Sequence, residues 1–172
     1  MYIETVNVLR GTKKQEWAAL LAKCGLEQAQ AEQTVLVWED EELVATGSRD
    51  GNILKCIAVE NSRQGEGLLA TVITNLRQNA FQAGHSHLFL YTKPQNDYLF
   101  TSLFFHPIAR TDKILLMEDG AHGIGKFLAS LDKPEGDCGA IVMNADPFTL
   151  GHRYLVEEAS RRCEKLLVFV LS

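Results

Sequence analysis

The sequence predicts an α/β protein in which a mixed, mostly antiparallel sheet is followed by a separate βαβ unit. Short apolar runs separated by turn residues fill the first 120 residues, which is typical of neighbouring antiparallel strands. Within them, residues 53–83 have the pattern of a strand, a glycine turn and an amphipathic helix. A second strand, loop, helix and strand occupy residues 139–171, and such a unit requires parallel strands.

The composition limits the classes of function. With 172 residues, 46% hydrophobic and 23% charged, the chain is one large domain or one domain plus a fragment of another. The net charge of -5 argues against a general nucleic-acid binder, which needs clustered Lys and Arg. No stretch reaches the roughly 18 apolar residues of a membrane span, and the first residues do not resemble a signal peptide. We therefore expect a cytoplasmic protein.

The cysteines and histidines give no metal signature. The four cysteines form no C-x-x-C pair, and the five histidines do not fall at ligand spacing with them. We predict reduced thiols and no metal site built by the protein itself.

The elements before residue 53 follow from hydrophobic spacing. Residues 1–8 are predicted as a strand, and a helix follows from Thr12 to a stop at Gly25. Residues 27–32 are interpreted as either a second helix or a loop. Strands at residues 34–39 and 43–48 are joined by an acidic turn.

The glycine turn separates a short β-branched strand, residues 53–59, from a helix that begins near Leu69 and ends before Gly84. Gly65 and Gly67 lack Cβ atoms, so successive backbone N–H groups can face outward at the positive end of the helix dipole. That arrangement is a phosphate cradle. The alternative, a tight connection that needs glycine only for its conformation, remains open at this point.

The remaining elements complete the first part of the chain. We expect a strand at residues 87–91 and an aromatic-rich core element at residues 98–105, which Pro107 ends. A strand at residues 113–117 would close the sheet, and a short amphipathic helix would end at Leu131. The predicted domains are residues 1–131 and 139–172, with residues 132–138 as a polar linker.

A second candidate site lies between Asn144 and His152. It follows an apolar strand directly, at the carboxyl end where open α/β sheets bind ligands. The Thr149 hydroxyl, the His152 imidazole and helix N–H groups are donors for the charge on phosphates, and Gly151 leaves room for a nucleotide. Alternatively, Thr149 is a plain N-cap and His152 a surface residue of the first turn.

The order of elements over residues 2–117 resembles the GNAT acetyltransferase superfamily, whose glycine turn holds the pyrophosphate of acetyl-CoA. The residues that the resemblance assigns to a CoA-like arm are Ile57, Val59, Gln64, Gly65, Gly67 and Leu68. With Gln64 and Gly67 aligned, the turn departs from the family at Leu69, where glycine or alanine is usual; in the alternative register through Gly65 and Gly67 it departs at Ser62, where glutamine or arginine is usual. Phe100 stands where many members have a tyrosine that protonates the leaving thiolate, and Tyr98 is turned about 200° away along a helix. We therefore predict a domain that holds a CoA-like molecule rather than one that transfers acetyl from CoA.

Thr-x-Gly-His after Asn-x-x-Pro-Phe resembles the nucleotidyltransferase superfamily, with a Rossmann-like fold. The resemblance implies ATP contacts from Asn144, Phe148 and Gly151, and catalytic roles for Thr149 and His152. Both halves in this order resemble the citrate lyase ligase family. Asp146 departs from it, since asparagine is expected there.

The family resemblance implies a reaction. ATP, with Mg²⁺, would activate acetate as acetyl-adenylate and release pyrophosphate. The acetyl group would then acylate the thiol of a dephospho-CoA-type arm on the acyl carrier subunit of citrate lyase. An acetyl-CoA-dependent N-acetyltransferase and a CoA-binding module are the alternatives. Because the sequence stops after two strands of the second sheet, we expect a truncated chain without full ligase activity.

Overall fold

The computed structural model describes residues 1–120, 123–131 and 135–171, so residues 132–134 of the predicted linker lie outside the described residues. The chain divides into two compact units, Met1–Ile124 and Gly125–Ser172.

The first unit contains a seven-stranded sheet in the order β1-β2-β3-β4-β5-β7-β6. Its strands are β1 (Tyr2–Val6), β2 (Gln33–Glu39), β3 (Glu42–Asp50), β4 (Ile53–Val59), β5 (Phe89–Thr92), β6 (Phe105–Arg110) and β7 (Leu115–Asp119). Neighbouring strands are antiparallel except for β4 and β5, which are parallel. The predicted fold class, with its mixed and mostly antiparallel sheet, is confirmed.

Among the described residues, the first unit contains the α-helices α1 (Gly11–Lys23), α2 (Leu68–Gln82) and α3 (Asp97–Thr101). A further helix, α4 (Gly123–Ser130), crosses the division between the units. The apolar stripe of α2 packs in the larger core with Val35, Leu54, Leu90 and Met117. Trp17 and Leu21 of α1 form a second core with Leu36 and Trp38. Neighbouring residues of β2 thus belong to different cores, because side chains alternate between the two faces of a strand. Burial of both faces fixes the register of the central strands.

A bulge interrupts the pairing of β3 with β4. Thr46 pairs with Ala58 and Ser48 pairs with Lys55, so Gly47 stands opposite two residues, Cys56 and Ile57. Cys56 has a φ of 52°, which is strained for a residue with a Cβ atom. A Cβ added at Gly47 would lie 2.5 Å from Val72 Cγ1 and 2.9 Å from Leu76 Cδ1. The bulge and the glycine together bring α2 close to the sheet.

Pro107 does not end an element, as the sequence predicted, because it lies inside β6. That strand forms an edge of the sheet, where the missing N–H of proline costs no ladder hydrogen bond. The predicted strand at residues 113–117 corresponds to β7, which lies between β5 and β6 and so does not close the sheet. Residues 27–32 form no helix, which settles the open alternative in favour of a loop.

The second unit contains the predicted βαβ arrangement. Its elements are β8 (Cys138–Met143), α5 (Leu150–Ser160) and β9 (Lys165–Val170). The strands β8 and β9 are parallel, with Cys138 opposite Lys165 and Met143 opposite Val170. None of the described helices is both long and apolar enough to span a bilayer.

Candidate functional sites

The glycine turn joins β4 to α2 through a short 3-10 helix, Asn61–Arg63. Gly65 has a φ of 91° and Gly67 a φ of 80°, and a Cβ at either position would meet no atom within 4 Å. The chain's own packing therefore leaves open space beside both residues. Their left-handed backbone conformation, which side chains disfavour, is what requires glycine here.

The first turn of α2 is not capped by its own N-cap residue. Gly67 is the N-cap, so it has no side chain to cap the helix, and within the described residues no side-chain cap hydrogen bond is formed; no acidic residue lies in the first turn. Helix N–H groups left in this way attract anions. Gln64, also predicted to contact the arm, donates from Nε2 to Asn61 Oδ1 at 3.1 Å. Leu68 is buried and anchors the start of the helix in the larger core.

An ion-pair cluster, formed by Arg63, Glu39 and Glu66, holds the turn from one side. Arg63 Nε donates to Glu66 Oε2 at 2.7 Å, and Arg63 Nη2 donates to Glu39 Oε2. These hydrogen bonds, of which the one to Glu66 has the larger effect, raise the pKa of the Arg63 guanidinium, which stays charged. The cluster ties the turn to the end of β2 and pairs the one carboxylate between the two glycines.

The edge of β4 that faces β5 is largely open. The two strands pair only through Ile53 with Phe89 and Leu54 with Leu90, so from Lys55 to Val59 this edge has no strand partner among the described residues. An open edge offers backbone N–H and C=O groups to an extended ligand that carries amides. Ile57 and Val59 lie on this segment and pack against the larger core. The Val59 carbonyl oxygen accepts a hydrogen bond from Cys24 Sγ at 3.4 Å.

The aromatic residues of α3 differ sharply in exposure. Phe100 is buried in the larger core, with its ring edge-on to Phe105 at a centroid distance of 6.2 Å. Tyr98 is 71% exposed. The phenyl ring of Phe100 thus has a packing role.

Thr149 and His152 form a reciprocal cap at the start of α5. The Thr149 backbone N–H donates to His152 Nδ1 at 3.0 Å, and the His152 backbone N–H donates to Thr149 Oγ1 at 3.4 Å. This is a capping box in which histidine replaces the usual Glu or Gln. Thr149 is therefore the N-cap of α5, which is the alternative role that the sequence offered for it.

The cap fixes the tautomer of His152. Because Nδ1 accepts the hydrogen bond from Thr149 N–H, the proton of a neutral imidazole lies on Nε2. The Nε2–H group is therefore a donor, and an imidazole held in this way can bind a phosphate oxygen without being charged.

The other predicted nucleotide contacts lie around this cap. The Phe148 ring is 59% exposed and lies 5.8 Å from the His152 ring, centroid to centroid. Asn144 follows β8 directly, and its Oδ1 accepts from Asp146 N at 3.4 Å. A Cβ at Gly151 would approach no atom closer than Thr149 Oγ1 at 3.6 Å, which is ordinary contact. The fold itself therefore does not require glycine at this position.

The predicted site residues thus form two groups. The six residues assigned to the CoA-like arm line one connection, β4 to α2, in the first unit, whereas the five assigned to ATP surround the β8 to α5 loop in the second. Among the described residues, no three His, Cys, Asp or Glu side chains are grouped to hold a metal ion. Burial raises the pKa of the Cys24 and Cys56 thiols, which disfavours their thiolate forms.

Sequence reasoning missed three residues that shape the first group: Arg63, Gly47 and Cys56. The pairing of Arg63 with Glu66 has a local signal, since opposite charges three residues apart often meet. Gly47 and Cys56 have no local sequence signal, because the bulge depends on the approach of α2 to β3.

Solved structures match the fold of more than two thirds of this chain. ElaA of Escherichia coli matches 69% of this chain over 99% of its own length, with a TM-score of 0.57 and 13% identity. An acyl-CoA N-acyltransferase of Pseudomonas aeruginosa matches to the same extent. At such low identity the likeness shows only the fold, which is of the GNAT type.

Sequence comparison identifies the relatives. Residues 138–172 match the family model described as the citrate lyase ligase C-terminal domain. The citrate (pro-3S)-lyase ligase of Klebsiella pneumoniae is 44% identical over 84% of this chain, and that of Escherichia coli K12 is 40% identical over 80%. The chain is therefore a homologue of the citrate lyase ligases, and the predicted resemblance is confirmed. It spans 43% and 40% of the lengths of these two relatives.

Proposed function

We propose that this chain carries the two substrate-binding sites of a citrate lyase ligase. The first holds the dephospho-CoA-type arm of the citrate lyase acyl carrier subunit, and the second holds the triphosphate of ATP. The observation that carries the proposal is the Thr149 and His152 cap, because it lies in the segment that matches the ligase family model.

The ATP site would work through donors that are already in position. The Nε2–H of His152 and the N–H groups of α5 would donate to phosphate oxygens, where negative charge increases during displacement. Phe148 offers an exposed ring beside the imidazole, and Gly151 leaves the backbone accessible. Mg²⁺ would arrive bound to ATP, with most of its ligands from phosphates and water.

The arm site would combine two features of the first unit. The start of α2 attracts a diphosphate, and the open edge of β4 offers hydrogen bonds to the amides of an extended pantetheine chain. Phe100 supplies no proton for a leaving thiolate, which supports holding of the arm over acetyl transfer from CoA.

The proposed reaction has two steps. A carboxylate oxygen of acetate attacks the α-phosphorus of ATP, the bond to the bridging oxygen of the β-phosphate breaks, and pyrophosphate leaves. The thiolate of the arm then attacks the carbonyl carbon of acetyl-adenylate, and AMP leaves as the bond between that carbon and the phosphate oxygen breaks. The residues of this chain would bind and orient the two substrates.

The test replaces Gly151 with alanine and measures MgATP binding by calorimetry. The new methyl group fits the free protein and favours helix by about 0.5–1 kcal/mol, so α5 should remain folded. A nucleotide packed against the helix start would meet the methyl group, and we expect at least a tenfold rise in Kd for MgATP. Dephospho-CoA binding by the same variant is the control and should not change.

Unchanged MgATP binding in Gly151→Ala would remove the support for a triphosphate at this helix. Absence of MgATP binding by the unmodified chain would reject the ATP site itself. Failure of the unmodified chain to bind dephospho-CoA would reject the arm site while leaving the ATP site intact.

A further inference from the structure

Glu66 is out of place in a turn that binds a diphosphate. It lies between Gly65 and Gly67, two residues before the first residue of α2, where its negative charge would repel an anionic ligand. A carboxylate near a helix start is also attracted to the same N–H groups and dipole as the ligand. Left free, Glu66 would compete with a diphosphate for this position.

Arg63 is bonded to the Glu66 carboxylate. Its Nε atom holds one carboxylate oxygen of Glu66 at 2.7 Å, while Nη2 is bonded to Glu39 at the end of β2. Glu39 is 21% exposed and Arg63 32%, so the guanidinium is anchored against the sheet, whereas the Glu66 side chain is more exposed, at 47%. The arginine thus has one fixed partner and one partner that it restrains.

We propose that Arg63 is a positioning residue that enables the glycine turn to bind a diphosphate by neutralising Glu66 and holding its carboxylate aside. This role rests on the proposed arm site. Arg63 would control the access of phosphate groups to the glycine turn of that site. Arg63 acts through Glu66, so its effect should depend on whether Glu66 is charged.

The experiment is a double-mutant cycle with dephospho-CoA as the probe, measured by calorimetry on the 172-residue chain at low salt. Arg63→Ala should raise Kd about tenfold, which corresponds to about 1.4 kcal/mol. Glu66→Gln should bind as well as the unmodified chain or better. The double variant, Arg63→Ala with Glu66→Gln, should return to within about threefold of the unmodified Kd, because the carboxylate that competes is gone.

Two further measurements separate this role from a purely structural one. The ratio of Kd between Arg63→Ala and the unmodified chain should fall towards one at about 1 M salt, where charges are screened beyond about 3 Å. Glu39→Gln is the matched control: it removes the other ion pair but leaves Arg63 bonded to Glu66, so Kd should stay within about twofold.

Three results would overturn the inference: a double variant as weak as Arg63→Ala, an Arg63→Ala chain that binds normally, or a ratio that salt does not change. The first would mean that Arg63 contacts phosphate or shapes the turn by itself. In each case the unmodified chain still binds, so the proposed arm site stands. If the unmodified chain does not bind dephospho-CoA, the arm site and this inference fail together.

Discussion

A methyl group added at Gly47 is expected to destabilise the first unit by about 1–2 kcal/mol. Its Cβ would lie 2.5 Å from Val72 Cγ1, about 1 Å closer than carbon atoms normally approach. Val72 and Leu76 are fully buried, and a valine in a helix has essentially one rotamer, so the strain must shift α2. Overpacking of this kind destabilises a protein by about 1–3 kcal/mol. Replacing a strand glycine by alanine stabilises it by about 0.5–1 kcal/mol, because alanine loses less backbone entropy on folding, and this offsets part of the cost.

The assay is urea unfolding followed by tryptophan fluorescence. The chain has two tryptophans, Trp17 and Trp38, and both lie in the second core of the first unit, so the signal reports that unit. With an m value of about 2 kcal/mol/M, Gly47→Ala should lower the midpoint by about 0.5–1 M. Because α2 carries the glycine turn, dephospho-CoA binding should weaken as well.

A second substitution tests the cause. Val72→Ala removes the atom nearest to the new methyl group, so Gly47→Ala should cost less in that background than in the unmodified chain. A midpoint that stays unchanged or rises in Gly47→Ala would refute the claim that this glycine sets the distance between β3 and α2. Equal costs in both backgrounds would show that the strain does not pass through Val72.

Two further predictions concern hydrogen-bonded carboxylates of the first unit, Glu4 and Glu118, and both are measured by the same fluorescence assay. Glu4 accepts from Lys13 Nζ at 2.6 Å and from Trp38 Nε1 at 2.9 Å, and the Lys13 hydrogen bond lowers its pKa below the ordinary 4.5. Glu4→Gln should therefore cost about 1 kcal/mol at pH 7. The difference should be complete above pH 4.5 and vanish as the pH falls through the lower folded-state pKa; a difference that persists in acid would contradict the assignment. Glu118 is 5% exposed and accepts from His87 Nε2 at 2.7 Å and from Ile124 N at 3.1 Å. Glu118→Ala should cost about 0.5–1.5 kcal/mol by removing the acceptor of the partly buried Ile124 N–H group, and an unchanged midpoint would show that this bond contributes nothing.

Local features of this chain were predictable from the sequence. The glycine turn and the stripe of α2 depend on residues within 20 positions of one another, and the cap at Thr149 depends on a residue three positions away. The βαβ unit follows from hydrophobic runs alone, because two buried parallel strands need a helical crossover.

Features that depend on distant packing were not predictable. A proline within β6 is acceptable only because the strand lies at an edge, and the sheet order that puts it there is not written in local spacing. The positive φ of Cys56 arises because β4 has one more residue than β3 at the bulge. The contact of Arg63 with Glu39 joins residues 24 positions apart, so only the folded chain reveals it.

The short pairing between β4 and β5 divides the large sheet into two ladders. Strands β1 to β4 form one ladder and β5 to β7 form the other, and two residue pairs connect them, with α2 packed across the junction. A ligand bound along the open edge of β4 would extend the hydrogen-bonded network beyond the two residue pairs that join the ladders. The bound ligand would reduce local opening of the sheet at this junction. Amide protons of β4 and β5 should therefore exchange with solvent more slowly once the ligand is bound.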